Sequence, residues 1–250
     1  MAVIVLLLSC NQAYEAQAQA KPDPIKAVKT FAQFRFAKVV PVEADNTWGI
    51  LYVDNYNKMQ LFKATSRGLR LEWKLASLGA PVVEYFYADV EGDGRSEILI
   101  ATVNGRVLIY DAYSYQNTWE NLSDPFDMIT AMQIADIDED PQLEIVLIAN
   151  DMLFIYDGLT KSRQWVSARP YKARQIIVAN VDNDDQLEII LNTGVIVDSK
   201  FLNNQVEWDK PFGDKISVFD MNNDGYPEIV GELPDFSLRI FDAYTQREVW

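Results

Sequence analysis

Four stretches of this chain place oxygen-bearing side chains on alternate residues, and coordination of a hard cation is the chemistry that such spacing allows. The first holds Asp89, Glu91, Asp93 and Glu97; the second Asp136, Asp138, Asp140 and Glu144; the third Asn180, Asp182, Asp184 and Glu188; the fourth Asp220, Asn222, Asp224 and Glu228. Each has a carboxylate or amide at positions 1, 3 and 5, a Glu at position 9 and an Ile at position 10. Calcium takes about 6 to 8 oxygens at ~2.3–2.6 Å, and one tight loop can supply several of them. Turn chemistry ranks the copies. Gly94 and Gly225 follow position 5 in the first and fourth stretches, whereas Pro141 and Asp185 stand there in the other two, and positive φ is open to Gly, closed to Pro and costly to Asp. The loops at Asp220 and Asp89 are therefore expected to be the better calcium sites. The Glu at position 9 has a second reading, as an acceptor of backbone N–H groups that closes the loop.

Composition narrows the function classes. The formal net charge is −15, and fourteen carboxylates sit at the four marked positions of the four loops, so nearly all of the imbalance is a property of these loops. No basic surface offers itself to nucleic acid, whose binding needs concentrated cations. The chain has no His, which removes the commonest general base and every Ser-His or Cys-His nucleophile. The single cysteine, Cys10, excludes an internal disulfide and a multi-cysteine zinc site.

The elements that must position these loops repeat with them. Trp73, Trp119, Trp165, Trp208 and Trp250 recur every 42–46 residues, and the loops recur every 40–47. One unit reads as four short strands, over 82–88, 97–103, 106–111 and 117–120, with Asn104-Gly105 as a two-residue hairpin between the middle pair. Four antiparallel strands per repeat of this length predict an all-β propeller. Five blades are expected, over about 34–75, 80–120, 128–166, 172–208 and 214–250, within a domain spanning 30–250. The first has Pro41, Glu43, Asp45 and Gly49 at the ligand positions and is expected to hold no metal.

The start of the chain reads differently. An apolar run over 2–8 is far shorter than the ~20 residues a membrane-spanning helix needs and resembles the core of an export signal. Leu7-Leu8-Ser9-Cys10 resembles a bacterial lipobox, which makes 1–10 a lipoprotein-type signal with Cys10 as the lipidated residue. The alternative is an ordinary cut after Ala18-Gln19-Ala20. Residues 11–29, rich in Ala and Gln, read as a flexible tether.

On these loops, the chain resembles the FG-GAP or VCBS repeat family, found in the propellers of integrin α-subunits and of exported bacterial proteins, over about 34–250. The matching motif is Asp-x-Asp-x-Asp-Gly-x-x-Asp/Glu between the first two strands of a blade. The resemblance implies calcium held by side chains 1, 3, 5 and 9 with a carbonyl at position 7, acting structurally. A weaker likeness joins Tyr110-Asp111-Ala112 with Trp119, and Phe241-Asp242-Ala243 with Trp250, to the docking repeat of quinoprotein propellers; aromatic packing between blades is the favoured reading, since the Trps recur in every unit whereas a cofactor site is built once. The function expected is an extracytoplasmic, non-catalytic scaffold, lipid-anchored or secreted, that binds protein or glycan. The alternatives are a carbohydrate-active or phosphate-ester-cleaving enzyme on the same fold, and a segment of a larger propeller protein.

Overall fold

The computed structural model describes residues 36–42, 47–138, 140–182 and 184–250. The export signal, Cys10 and the tether lie outside the described residues, as do Glu43 and Asp45 of the first unit. Every regular element among the described residues is a β-strand, so no helix there is long and apolar enough to cross a membrane.

Five four-stranded sheets follow one another along the chain. The first comprises β1 (Phe36–Val42), β2 (Thr47–Val53), β3 (Met59–Thr65) and β4 (Gly68–Lys74), and the second β5 (Val82–Ala88), β6 (Glu97–Thr102), β7 (Val107–Asp111) and β8 (Asn117–Glu120). The third comprises β9 (Ile129–Ala135), β10 (Glu144–Ala149), β11 (Met152–Tyr156) and β12 (Arg163–Val166), and the fourth β13 (Ile176–Ala179), β14 (Glu188–Leu191), β15 (Val195–Asp198) and β16 (Asn204–Glu207). The fifth comprises β17 (Lys215–Phe219), β18 (Glu228–Glu232), β19 (Leu238–Asp242) and β20 (Arg247–Glu248). Each sheet is an antiparallel meander in chain order, and the first strands of successive sheets adjoin, β5 beside β9, β9 beside β13 and β13 beside β17.

Register explains how the sheets stack. Leu99 pairs with Ile109, Val146 with Ile155, Ile190 with Ile196 and Val230 with Ile240, so each sheet carries the same apolar row on the face turned toward the next. Because side chains alternate between faces, the neighbouring pairs Ile145 with Tyr156 and Ile189 with Val197 face the preceding sheet. One core cluster fills each of the four gaps between successive sheets. Strands β6, β10 and β14 are buried at every position, which is why they read as unbroken apolar runs rather than as alternating ones.

The two terminal sheets depart from this pattern. On the fifth, Val230 and Ile240 are only half-buried and Trp250 is 70% exposed, whereas their counterparts Leu99 and Ile109 are fully buried. On the first, β2 buries alternate residues only, and Val39 and Trp48 are exposed. The first unit also closes its hairpin where the others open a loop, since pairing runs on through Pro41 with Trp48 and Val42 with Thr47. Gly49 stands where the other sheets carry the position 9 Glu, and a Cβ there would lie 2.8 Å from the Phe62 carbonyl oxygen.

The hairpin at Asn104-Gly105 differs from the two-residue form that the dipeptide suggests. Strand β6 ends at Thr102, whose N–H donates to the Arg106 carbonyl at 2.9 Å, while the Gly105 N–H donates back to Thr102 at 3.0 Å. The loop thus has three residues and ends on Gly105 at φ 84°, where any side chain would run into the Phe126 carbonyl.

Candidate metal sites between the sheets

All four acidic loops connect the first and second strands of their sheets, and each is closed by its last residue. Glu97 Oε2 accepts the Val90 N–H at 2.8 Å, Glu144 Oε2 that of Ile137 at 2.9 Å, Glu188 Oε2 that of Val181 at 2.9 Å and Glu228 Oε2 that of Met221 at 2.7 Å. One carboxylate oxygen of each Glu thus closes its loop, and the side chains are buried. Burial pushes the Glu97, Glu144 and Glu188 carboxyls up to about 7, with nearby acidic groups adding to the rise. Any ligand role rests on the other oxygen.

That second oxygen separates the loops. Glu144 Oε1 and Glu188 Oε1 are buried with no hydrogen-bond partner, which is costly for a charge-bearing atom. Each is drawn into a group of three carboxylates. Oxygens of Asp136, Asp138 and Glu144 lie within 4.8 Å of one another, and so do those of Asp182, Asp184 and Glu188; among the described residues these are the two such groups. Asp140 stands outside the first, turned to the Gln142 side chain and N–H. Beside the second, Asn180 Nδ2 donates to the Asp184 carbonyl while its Oδ1 accepts the Asp182 N–H. Carboxylates gathered this closely repel unless a proton or cation lies between them.

The loops that turn chemistry favoured gather less. In the Asp220 loop, Glu228 Oε1 accepts from Asn222 Nδ2 at 2.7 Å, Asp220 takes the N–H groups of Asn223 and Gly225 at 2.7 and 3.0 Å, and Asp224 takes that of Tyr226 at 2.9 Å. In the Asp89 loop, Asp89 accepts from Asp93 and Gly94 N–H at 3.1 and 2.8 Å, and Asp93 from that of Arg95 at 2.9 Å. Glu91 turns away to an ion pair with Lys161 of the next sheet, 2.9 Å from an ammonium whose side chain is 6% exposed. A lysine of the third sheet thus supplies positive charge to the loop of the second.

Lys161 is one of a series that the sequence reading missed. At the end of the third strand of sheets two to five, an Asp accepts the N–H three residues on: Asp111 from Ser114 at 2.5 Å, Asp157 from Thr160 at 2.5 Å, Asp198 from Phe201 at 2.6 Å and Asp242 from Thr245 at 2.8 Å. These turns give the echoing aspartates a local role. Each is followed by a residue at positive φ, namely Tyr115 (58°), Lys161 (58°), Leu202 (54°) and Gln246 (53°). This residue stands opposite the preceding sheet. Tyr115 stacks on Trp73, with centroids 5.4 Å apart, and Lys161 fills its place with an ammonium. Leu202 instead lines a cavity of about 490 Å³ that also touches Asp138, and Gln246 lines one of about 240 Å³ that touches Asp182 and Asp184. Of the three acidic loops that face a following sheet, the two that open onto a cavity are the two that gather three carboxylates.

No family model matches this chain, and no curated protein matches it. Solved structures do resemble it. The Vibrio cholerae biofilm matrix protein Bap1 aligns with a TM-score of 0.63 at 18% identity, over 87% of this chain and 39% of Bap1. BBS1N, in complex with ARL6DN, aligns at 0.60 and 11% identity, over 86% of this chain and 66% of that one. Saccharomyces cerevisiae Sqt1 aligns at 0.58 and 9%, over 81% and 57%. This chain therefore spans between 39% and 66% of the length of these structures. At such identities the likeness is one of fold, and that fold is propeller-like.

Proposed function

We propose that this chain is a calcium-stabilised, non-catalytic binding module, its five sheets standing as blades of a propeller of the FG-GAP or VCBS type. Calcium joins the Asp136, Asp138 and Glu144 group and the Asp182, Asp184 and Glu188 group, and the module presents a face to a protein or glycan. The observation that carries this reading is the pair of buried, unpartnered oxygens, Glu144 Oε1 and Glu188 Oε1, each within a knot of carboxylates. A hard divalent cation with oxygen ligands suits such donors. The absence of His from the sequence and the recurrence of the acids with every repeat favour a scaffold over a catalytic centre. Export, with Cys10 as the candidate lipid anchor, follows from the apolar start and the lipobox-like residues. Neighbours in fold fit a binding role, since one is described with ARL6DN and another as a biofilm matrix protein.

Thermal melting in calcium and in EGTA tests the reading. Calcium at one hundred times its Kd would add about 2.7 kcal/mol, and a chain of this size melts roughly 2–4 °C higher per kcal/mol. A melting temperature that does not respond to calcium removes the metal from the account.

A further inference from the structure

The gap between the third and fourth sheets combines two features. Asp138 of its carboxylate group opens onto space, as Asp182 and Asp184 do one gap later, and here that space has the size and lining of a ligand site. Between the first two sheets the corresponding place holds Tyr115 against Trp73, and between the second and third it holds Lys161 against Glu91. Here the residue is Leu202, and the cavity of about 490 Å³ falls within the ~300–1,000 Å³ typical of small-molecule sites. Trp165 lends it an aromatic surface, while Gln164, Gln186 and Lys200 bring amide and ammonium groups and Asp138 joins it to the carboxylate group.

We propose that this cavity binds a neutral saccharide, with two adjacent hydroxyls of one sugar ring completing the coordination of the cation at Asp136, Asp138 and Glu144 and the ring lying against Trp165. The proposal rests on the calcium reading above. With one Glu144 oxygen taken by the Ile137 N–H, the three carboxylates offer at most five oxygens, fewer than the about 6 to 8 that calcium takes, so positions beside Asp138, on the cavity side, remain for ligand oxygens. The charge bears on the class of ligand. Three carboxylates outweigh one divalent cation by one negative charge, which the Lys200 ammonium in the lining offsets, so no net positive charge is left to favour a ligand carboxylate, whereas a diol brings oxygens without charge. Carbon-bound hydrogens of a pyranose suit an aromatic face, and its outer hydroxyls suit the two glutamine amides.

The test separates the two layers. Calcium binding is measured first by isothermal titration on the full chain, then binding of methyl glycosides of mannose, fucose, galactose and glucuronic acid by saturation-transfer NMR and titration in calcium and in EGTA. At least one neutral glycoside is expected to bind in calcium and to be lost in EGTA. Gln164→Ala, at an exposed position, and Trp165→Ala should weaken glycoside binding by about 5- to 10-fold, on the order expected for a lost amide bond or ring contact, with calcium binding unchanged. Leu202→Lys, which places at this gap the residue found one sheet earlier, should abolish glycoside binding. No calcium binding overturns both readings. Calcium binding with no glycoside bound overturns this proposal alone, as does glycoside binding indifferent to all three substitutions; preference for the glucuronide overturns the neutral class.

Discussion

Glu144 and Glu188 each divide their labour between two oxygens. One accepts a loop N–H and fixes the turn; the other sits buried, without a partner, among aspartates. Glu144→Gln keeps shape and volume but places an amide at the centre of the group, so it should abolish most of the calcium-dependent rise in melting temperature assigned to that loop. Glu228→Gln, in a loop whose second Glu oxygen is already engaged by Asn222, should leave that rise unchanged; paired melts in calcium and EGTA check both. Glu97 gives a pH dependence. Its carboxyl is pushed up to about 7, first by burial and then by Glu91, against the opposing pull of the Val90 N–H and Lys161. The folded state therefore holds a proton that the unfolded chain releases near the ordinary Glu value, and stability falls as pH rises from about 4.5 through about 7. Urea midpoints in EGTA at pH 5 and pH 8 should differ less in Glu97→Gln than in the parent chain.

The connecting turns and hairpins set what stands beside each acidic loop. Lys161 reaches Glu91 from the next sheet because the turn after β11 holds it at positive φ. Lys161→Ala should cost about 1–2 kcal/mol in EGTA, less than the ~3–5 kcal/mol of a fully buried pair because Glu91 is 30% exposed. Part of the loss should return in calcium, since the Asp89 loop would then lack its internal cation; chemical denaturation with and without calcium reads both effects. The strand layout was legible in the sequence because Trp, acidic loop and apolar run keep step, and each reports a local rule of register or turn. The gathering of the carboxylates was not. Gly94 and Gly225 describe how easily a turn forms, whereas what stands beside the Asp89, Asp136 and Asn180 loops is Lys161, Leu202 and Gln246, which lie in a different repeat and carry no motif. Gly49 is the counter-case, legible as a missing ligand but not as a packing necessity. Because an added Cβ would meet the Phe62 carbonyl at 2.8 Å and Val42 at 2.9 Å, Gly49→Ala should cost about 1–3 kcal/mol by overpacking, measurable as a lower denaturation midpoint in the absence of any metal effect.

Across the whole array, stability should follow the number of faces covered. Sheets two, three and four are packed on both sides, and β6, β10 and β14 are buried at every position, while the first and fifth sheets each leave one face to solvent, with Val39, Trp48 and Trp250 among the residues exposed there. Repeats that contact only their neighbours lose cooperativity toward the ends, so amide exchange should be slowest in β6, β10 and β14 and fast in the two-residue β20. The metal should act within this gradient rather than on all of it. Without a cation, Glu144 Oε1 and Glu188 Oε1 stay buried among the aspartates with no partner, but the Asp89 loop keeps Lys161 and Glu228 Oε1 keeps the Asn222 amide. Hydrogen-exchange mass spectrometry in calcium against EGTA should therefore show faster exchange over 136–144 and 180–188 and in the strands they join, with 89–97 and 220–228 changing little. A uniform response along all four loops would mean that the cation is bound by the shared motif, and that the residue reaching over from the next sheet has no part in choosing where.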